Sequence, residues 1–343
     1  MTIAHSISLD TEGTYQTMTQ DASKITPSPF ELKAPFGDWR DDLADQGFVV
    51  LKGAIPLERA KQYQKKAFEW LQSFNPELKF DDPSTWDRSK LPVQTKLNTF
   101  EHYSVVHEKF MWNARLEPGV VDAFARVWGT DQLLVSFDSL NVTLPGLKPV
   151  RAPWPHMDQA PRKRGLHCVQ VIINLSHAGQ EDGSLVVVPG SHKLVEDFFD
   201  NETDPMTWEW KDNRYFSEKD MEWFHKRGLQ PKKVLAEPGD LILWDSRTIH
   251  WGGEPTADSK VIRTVIYAAY VPASLASEGA IKEKQKVFGL NGATTHWPHD
   301  NMKLRDLQAR LPDGTLDSRH RNEPLRRAEH TERLLQLAGV KAY

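Results

Sequence analysis

His156 and Asp158 are the first side chains in this sequence whose types and spacing suggest chemistry. In an extended segment, residues two apart point to the same face, so one imidazole and one carboxylate project side by side. That pair is two-thirds of a facial triad, the set of two His and one carboxylate that holds Fe(II) and leaves positions open. It fits equally the end of a surface strand carrying a local His–Asp hydrogen bond, and with thirteen His in the chain a single one says little. His250 is a third donor of the right type. It follows an apolar run closed by turn residues and precedes Gly252-Gly253, which places it at a strand end. Enough chain separates it from Asp158 for several strands to bring it back alongside. Arg263 lies within Val261-Ile262-Arg263-Thr264-Val265-Ile266-Tyr267. A guanidinium in such a strand is costly to bury unless an anion meets it. A dicarboxylate cosubstrate is one such anion, gripped through two parallel hydrogen bonds; an internal Asp or Glu is the other.

These groups need strands to hold them. Between residues 133 and 271 the sequence offers short apolar runs at 133–137, 140–144, 166–175, 184–188, 234–236, 241–244 and 261–271, separated by Gly, Pro and Asp. Strands at that spacing predict a sandwich or barrel. Glu237-Pro238-Gly239-Asp240 reads as a turn, and Val188-Pro189-Gly190-Ser191-His192 as a second sharp strand exit. Residues 48–51 read as a further strand and 81–92 as loop. Helices are expected from Asp38 to Gly47, over 57–74 and 118–128, and then at 275–288, 302–310 and 323–337. The fold class expected is mainly β with flanking helices. Residues 1–30, rich in Thr, Ser and Gln, are expected to be a mobile tail, and 31–343 a single domain.

A further segment, Asp182-Gly183-Ser184-Leu185-Val186-Val187-Val188-Pro189-Gly190-Ser191-His192, completes an ordered set. His156-x-Asp158, then this segment, then the Pro-Gly-Asp turn, then His250 and Arg263 together resemble the phytanoyl-CoA dioxygenase family of Fe(II)/2-oxoglutarate oxygenases, over residues 48–270. The resemblance implies a double-stranded β-helix, a cupin-like jelly roll with the metal at its open end. It implies His156, Asp158 and His250 as the ligands of Fe(II), and Arg263 on the 5-carboxylate of 2-oxoglutarate, with O2 as oxidant. His192 carries over only as part of the strand-to-loop turn. Met157 departs from the Gln often found between the first two ligands, and Pro153 stands where some members present a Gln. The orientation of the 1-carboxylate is therefore left open, with Gln94, Asn98 and Asn141 as candidate polar contacts. Related halogenases carry a small residue in place of the carboxylate; Asp158 points instead to hydroxylation, desaturation or ring formation, with release of succinate and CO2.

Other residues have two readings each. Trp154 and Trp251 neighbour proposed ligands and either line a substrate cavity or wall the barrel. Arg151 and Arg247 either anchor an anionic substrate or sit in salt bridges. The stretch 295–299 is a candidate to close the mouth, and His296 with His299 lacks a third ligand nearby. Cys168 reads as a small core residue.

Composition bounds the partners. With 43 basic against 47 acidic side chains the net charge is −4, and no basic footprint for nucleic acid is present. No apolar run approaches the ~20 residues of a membrane helix. Neither a secretory leader nor a peroxisomal ending is read, and one Cys suits a reducing, cytoplasmic setting. The substrate expected is a small molecule, an amino acid or a secondary metabolite. An acyl-CoA hydroxylase of the same family, a cupin-like metal-dependent hydrolase and a non-catalytic barrel are the competing readings. Dependence on 2-oxoglutarate separates the oxygenase readings from the hydrolase.

Overall fold

A computed structural model describes residues 5–9, 15–19, 25–147 and 151–343. Two antiparallel sheets face one another at its centre. The larger runs β4 (Phe48–Leu51), β14 (Leu241–Asp245), β10 (Val169–Asn174), β16 (Arg263–Pro272), β7 (Leu140–Thr143) and β5 (Thr99–Phe100), with β6 (Leu133–Val135) also on β16. The smaller runs β12 (Arg214–Tyr215), β8 (His156–Met157), β15 (His250–Gly253), β11 (Ser184–Val187) and β13 (Lys232–Lys233). This is the jelly roll expected from the sequence.

Side-chain alternation explains how β10 and β14 lie between two cores. Val169, Val171 and Ile173 of β10, with Leu241 and Leu243 of β14, pack outward under helices. Ile172, Ile242 and Trp244 face inward and meet Leu185 and Val187 of the smaller sheet. Each such buried side chain contributes about 1.5–3 kcal/mol. The outward face is covered by α1 (Arg40–Gln46), α2 (Leu57–Gln72), α3 (Lys109–Arg115), α4 (Pro118–Trp128), α7 (Glu278–Gly289) and α8 (Glu332–Leu337). Behind the smaller sheet, α5 (Val195–Glu202) and α6 (Glu218–His225) bury Phe198, Phe199 and Phe224 against Met157, Ile249 and Trp251. Those last contacts press on the two strands that carry His156 and His250.

The Pro238-Gly239 turn forms as read, and it needs its glycine: φ is +96° and a Cβ would stand 2.2 Å from the Ile55 carbonyl oxygen. Several expectations need correction. Residues 302–310 are not a helix, because Leu304 bridges to Thr294 and the Arg305 amide donates to the Ala293 carbonyl, which holds the segment extended. The helix expected over 323–337 is confined to α8. α3, α5 and α6 were not anticipated. The tail ends earlier than residue 30: the amides of Thr26 and Ser28 donate to the carbonyls of Arg162 and Arg164, and β3 (Thr26–Pro27) pairs in parallel with β9 (Lys163–Arg164). Within the tail, β1 (His5–Leu9) and β2 (Tyr15–Thr19) form an antiparallel ribbon, while 1–4, 10–14 and 20–24 lie outside the described residues. Among the described residues no helix is long and apolar enough to cross a membrane.

Candidate metal centre

β8 and β15 are neighbours, and their register sets His156 directly opposite His250. Paired residues project to the same side of a sheet, so the two rings meet with centroids 4.3 Å apart. Asp158 follows two residues after His156, just past the end of β8, with its amide donating to the Ser246 carbonyl at 2.9 Å. Its carboxylate oxygens then lie 3.6 Å from His156 Nε2 and 3.3 Å from His250 Nε2. All three side chains are buried.

The outer ring nitrogens decide what the inner ones can do. His156 Nδ1 faces the Trp154 carbonyl at 3.3 Å, and His250 Nδ1 faces the Thr248 carbonyl at 2.9 Å. A carbonyl only accepts, so each Nδ1 carries the hydrogen and each Nε2 presents a lone pair. Two lone pairs and a carboxylate thus converge, with ligand atoms all within 4.8 Å of one another. Three electron-rich groups held that close in a dry site repel one another unless a cation lies between them. Donors of this type, with room for further ligands, fit a divalent iron. Burial, together with His250, pushes the His156 imidazole down to about 3, which keeps the ring neutral. Burial opposes ionisation of Asp158, but the charged ring of His296 outweighs it and holds the carboxyl below the usual carboxylate range.

Arg263 opens β16 and is 8% exposed. Among the described residues no carboxylate lies within salt-bridge distance of it. Its guanidinium donates to the Tyr267 hydroxyl at 3.3 Å, from four residues further along the same face of the strand. Gly183 makes room for it, since a Cβ there would stand 3.1 Å from Arg263 Cδ. Arg263 and the His–Asp–His cluster line one cavity of about 480 Å³.

The other expected residues divide. Asn98 and Asn141 line this cavity, but the Asn141 amide nitrogen donates to the Leu97 carbonyl and its oxygen accepts from Thr143. Gln94 does not reach it; its amide is held by the carbonyls of Asn98 and Val142, and it borders a smaller neighbouring pocket. Trp154 stacks on His156 with centroids 4.5 Å apart and lines the cavity, whereas Trp251 is core. Arg151 pairs with Glu254 and Arg247 with Asp245. His192 sits in the turn after β11, its ring nitrogen on the Ala44 carbonyl. Cys168 is buried in the main core.

Three groups were not read from the sequence as part of the centre. Gln170, on β10, donates its amide to Asp158 Oδ2 at 3.1 Å. Its signal was a lone amide in the apolar run Val-Gln-Val-Ile-Ile. Trp297 donates its indole N–H to the Asp158 carbonyl at 2.9 Å. His296, read from the sequence as part of a mouth-closing stretch and as half of a His pair lacking a third ligand, lines the cavity, with Nδ1 2.5 Å from Asp138 Oδ2 and Nε2 3.8 Å from Asp158 Oδ2. Burial disfavours its charged ring, but Asp138 and then Asp158 outweigh burial and push it up to about 9. His299 stacks on Trp297 away from the centre.

Comparison with known proteins adds to this geometry. The family profile described as phytanoyl-CoA dioxygenase (PhyH) matches residues 43–264. The "Ava biosynthesis cluster protein O" of Aspergillus versicolor is 41% identical over 278 residues, covering 79% of this chain and 89% of that protein. Among solved structures, EctD from S. alaskensis with bound Fe superposes with a TM-score of 0.50 at 18% identity, covering 76% of this chain and 88% of its own. AviO1 from Streptomyces viridochromogenes Tue57 gives a TM-score of 0.46 at 17% identity, covering 68% and 93%. The profile spans the smaller sheet, all strands of the larger one up to the start of β16, and every residue of the His–Asp–His cluster, and so the chain belongs to the phytanoyl-CoA dioxygenase family, as a non-haem Fe(II)/2-oxoglutarate-dependent dioxygenase.

Proposed function

We propose that His156, Asp158 and His250 hold the iron, that Arg263 holds the 5-carboxylate of 2-oxoglutarate, and that the substrate is a secondary metabolite entering the same cavity. The observation that carries this reading is the unpaired buried guanidinium of Arg263 in the cavity of the His–Asp–His cluster. A hydrolase has no need of it; a dicarboxylate does. The similarity to a protein of a biosynthesis cluster supports the substrate class. About 480 Å³ suits 2-oxoglutarate beside a small organic molecule.

Bound iron and 2-oxoglutarate supply the redox chemistry, coupling reduction of O2 and loss of CO2 to removal of hydrogen from a C–H bond. The chain supplies placement. The Trp154 and Thr248 carbonyls fix the imidazole tautomers, and the Gln170 amide restrains one oxygen of Asp158. Arg263 neutralises the distal carboxylate and sets the cosubstrate's direction, with the Tyr267 hydroxyl steadying the guanidinium. Trp154 and Trp244 wall the site and keep water from it. No protein acid or base is required for hydrogen abstraction.

The test is consumption of 2-oxoglutarate by purified protein given Fe(II) and ascorbate, with succinate as readout and bound iron counted separately. Succinate formation and one iron per chain are expected, both lost in Asp158→Ala. Metal binding with no succinate under any substrate panel rejects the reading.

A further inference from the structure

We infer that Trp297 and Lys163 are positioning residues of the metal centre, fixing Asp158 through its main chain from a strap over residues 294–301. This rests on the proposed role of Asp158 as a ligand. The strap lies beyond the residues matched by the family profile, whereas Lys163 and Asp212, which hold it, lie within them.

Asp158 stands past the end of β8, where no sheet neighbour takes its carbonyl. That carbonyl accepts instead from the Trp297 indole at 2.9 Å, a contact spanning 139 residues. Trp297 is 1% exposed and lies in no helix or strand, so its ring must be held by other means. The Lys163 ammonium sits 3.6 Å from the ring centroid. Lys163 is itself buried and is bound by Asp212 at 2.7 Å and Asp300 at 2.9 Å. Asp300 belongs to the strap. Asp212 belongs to the loop just before β12 and also accepts from the Asn301 amide and the Ala160 N–H. At its other end the strap is tied by Thr294, whose amide donates to the Phe137 carbonyl and whose hydroxyl accepts the Phe137 N–H.

A buried ammonium with two carboxylates is a demanding arrangement, and an apolar residue would fill the same space more cheaply. What the charges add is direction. Partners from two segments and an indole beneath leave the ring one position, and the ring leaves the Asp158 peptide one plane. That plane sets the Cα–Cβ direction of the carboxylate, and second-shell contacts of this kind govern ligand placement.

Co(II) titration of the purified protein, followed by its visible absorption, tests this without turnover. Trp297→Phe keeps an aromatic face for the Lys163 ammonium, removes the N–H and gives up part of the ring's volume. Its Co(II) affinity is expected to fall about 10–100-fold, with an altered band shape. Trp128→Phe, which likewise takes a buried indole N–H from a main-chain carbonyl, that of Tyr270, but in the core on the helical side of the larger sheet, serves as the comparison and is expected to stay within about twofold of the parent. Asp300→Asn, half-exposed and so tolerated by the fold, is expected to weaken binding in the same direction by a few-fold. Parent-like affinity in Trp297→Phe overturns the inference; if that variant does not fold, parent-like affinity in Asp300→Asn does so. Parent-like affinity in Asp158→Ala would instead reject the ligand assignment itself.

Discussion

Burying Arg263 without a carboxylate leaves a charge on the chain that only a bound anion neutralises, and this makes its substitutions informative in two directions. Truncating one partner of a buried charge pair costs about 2–5 kcal/mol of binding. Arg263→Leu is therefore expected to weaken 2-oxoglutarate binding by at least about 30-fold, with Co(II) affinity unchanged, because the guanidinium makes no contact with the three proposed ligands. Arg263→Lys keeps the charge and loses the fork, so it should fall between Leu and the parent. Titration of 2-oxoglutarate into the Co(II)-loaded protein reads all three; equal affinity across them would remove Arg263 from the cosubstrate site. At this scale the sequence was informative where type and environment clash: a His beside an Asp at strand spacing, and an Arg in an apolar run; the lone Gln170 in another apolar run carried the same signal and went unread. The sequence placed Trp297 only in a stretch that could close the mouth and was silent on its partner. A Trp in an irregular segment carries no mark of a partner 139 residues away. Gln94 misled for the opposite reason, since an amide near a strand end finds backbone carbonyls as readily as a ligand.

Elements decide which of those residues meet. β8 has two residues and β15 four, too short to hold register alone, and their backing comes from the aromatic cluster under α5 and α6. Ser217 caps α6: its hydroxyl accepts the Asp220 amide, and the Asp220 carboxylate accepts the Ser217 amide. Ser217→Ala should cost about 1 kcal/mol of global stability. Urea unfolding measures it, and Co(II) affinity should not move, because cap and centre share no partner. Unchanged stability would mean the cap contributes nothing. The long strands were legible because β10, β14 and β16 combine apolar runs with turn residues at their ends. α6 was also legible in principle, as Ser-x-x-Asp ahead of Met221 and Phe224 is a capping-box signature. The helix wrongly expected at 302–310 shows the limit of periodicity. Its apolar spacing is real, but pairing with 293–295 satisfies the backbone first.

For the molecule as a whole, three stretches that are distant in sequence meet behind the larger sheet at His107. Its Nε2 lies 3.0 Å from the Gly292 carbonyl and its Nδ1 3.3 Å from the Trp112 indole nitrogen, with Phe137 and Phe288 against its ring. The carbonyl must receive a hydrogen and the indole must give one, so the ring is neutral with Nε2 protonated. A second proton would have to displace the Trp112 hydrogen bond. Burial, with Arg115 and Lys284 nearby, accordingly pushes the imidazole down from 6.5 to about 3. Between those values the unfolded chain binds a proton that the folded chain refuses. Stability from this residue is thus complete above pH 6.5 and is lost as pH falls toward 3, at up to about 1.4 kcal/mol per pH unit. His107→Gln offers the same donor and acceptor without the titration. Other buried His titrate in both proteins, so the difference between parent and variant isolates this one. Urea unfolding at pH 7, 6, 5 and 4 should show the variant losing less stability at each step below 6.5, and parallel curves would place the acid sensitivity of the fold elsewhere.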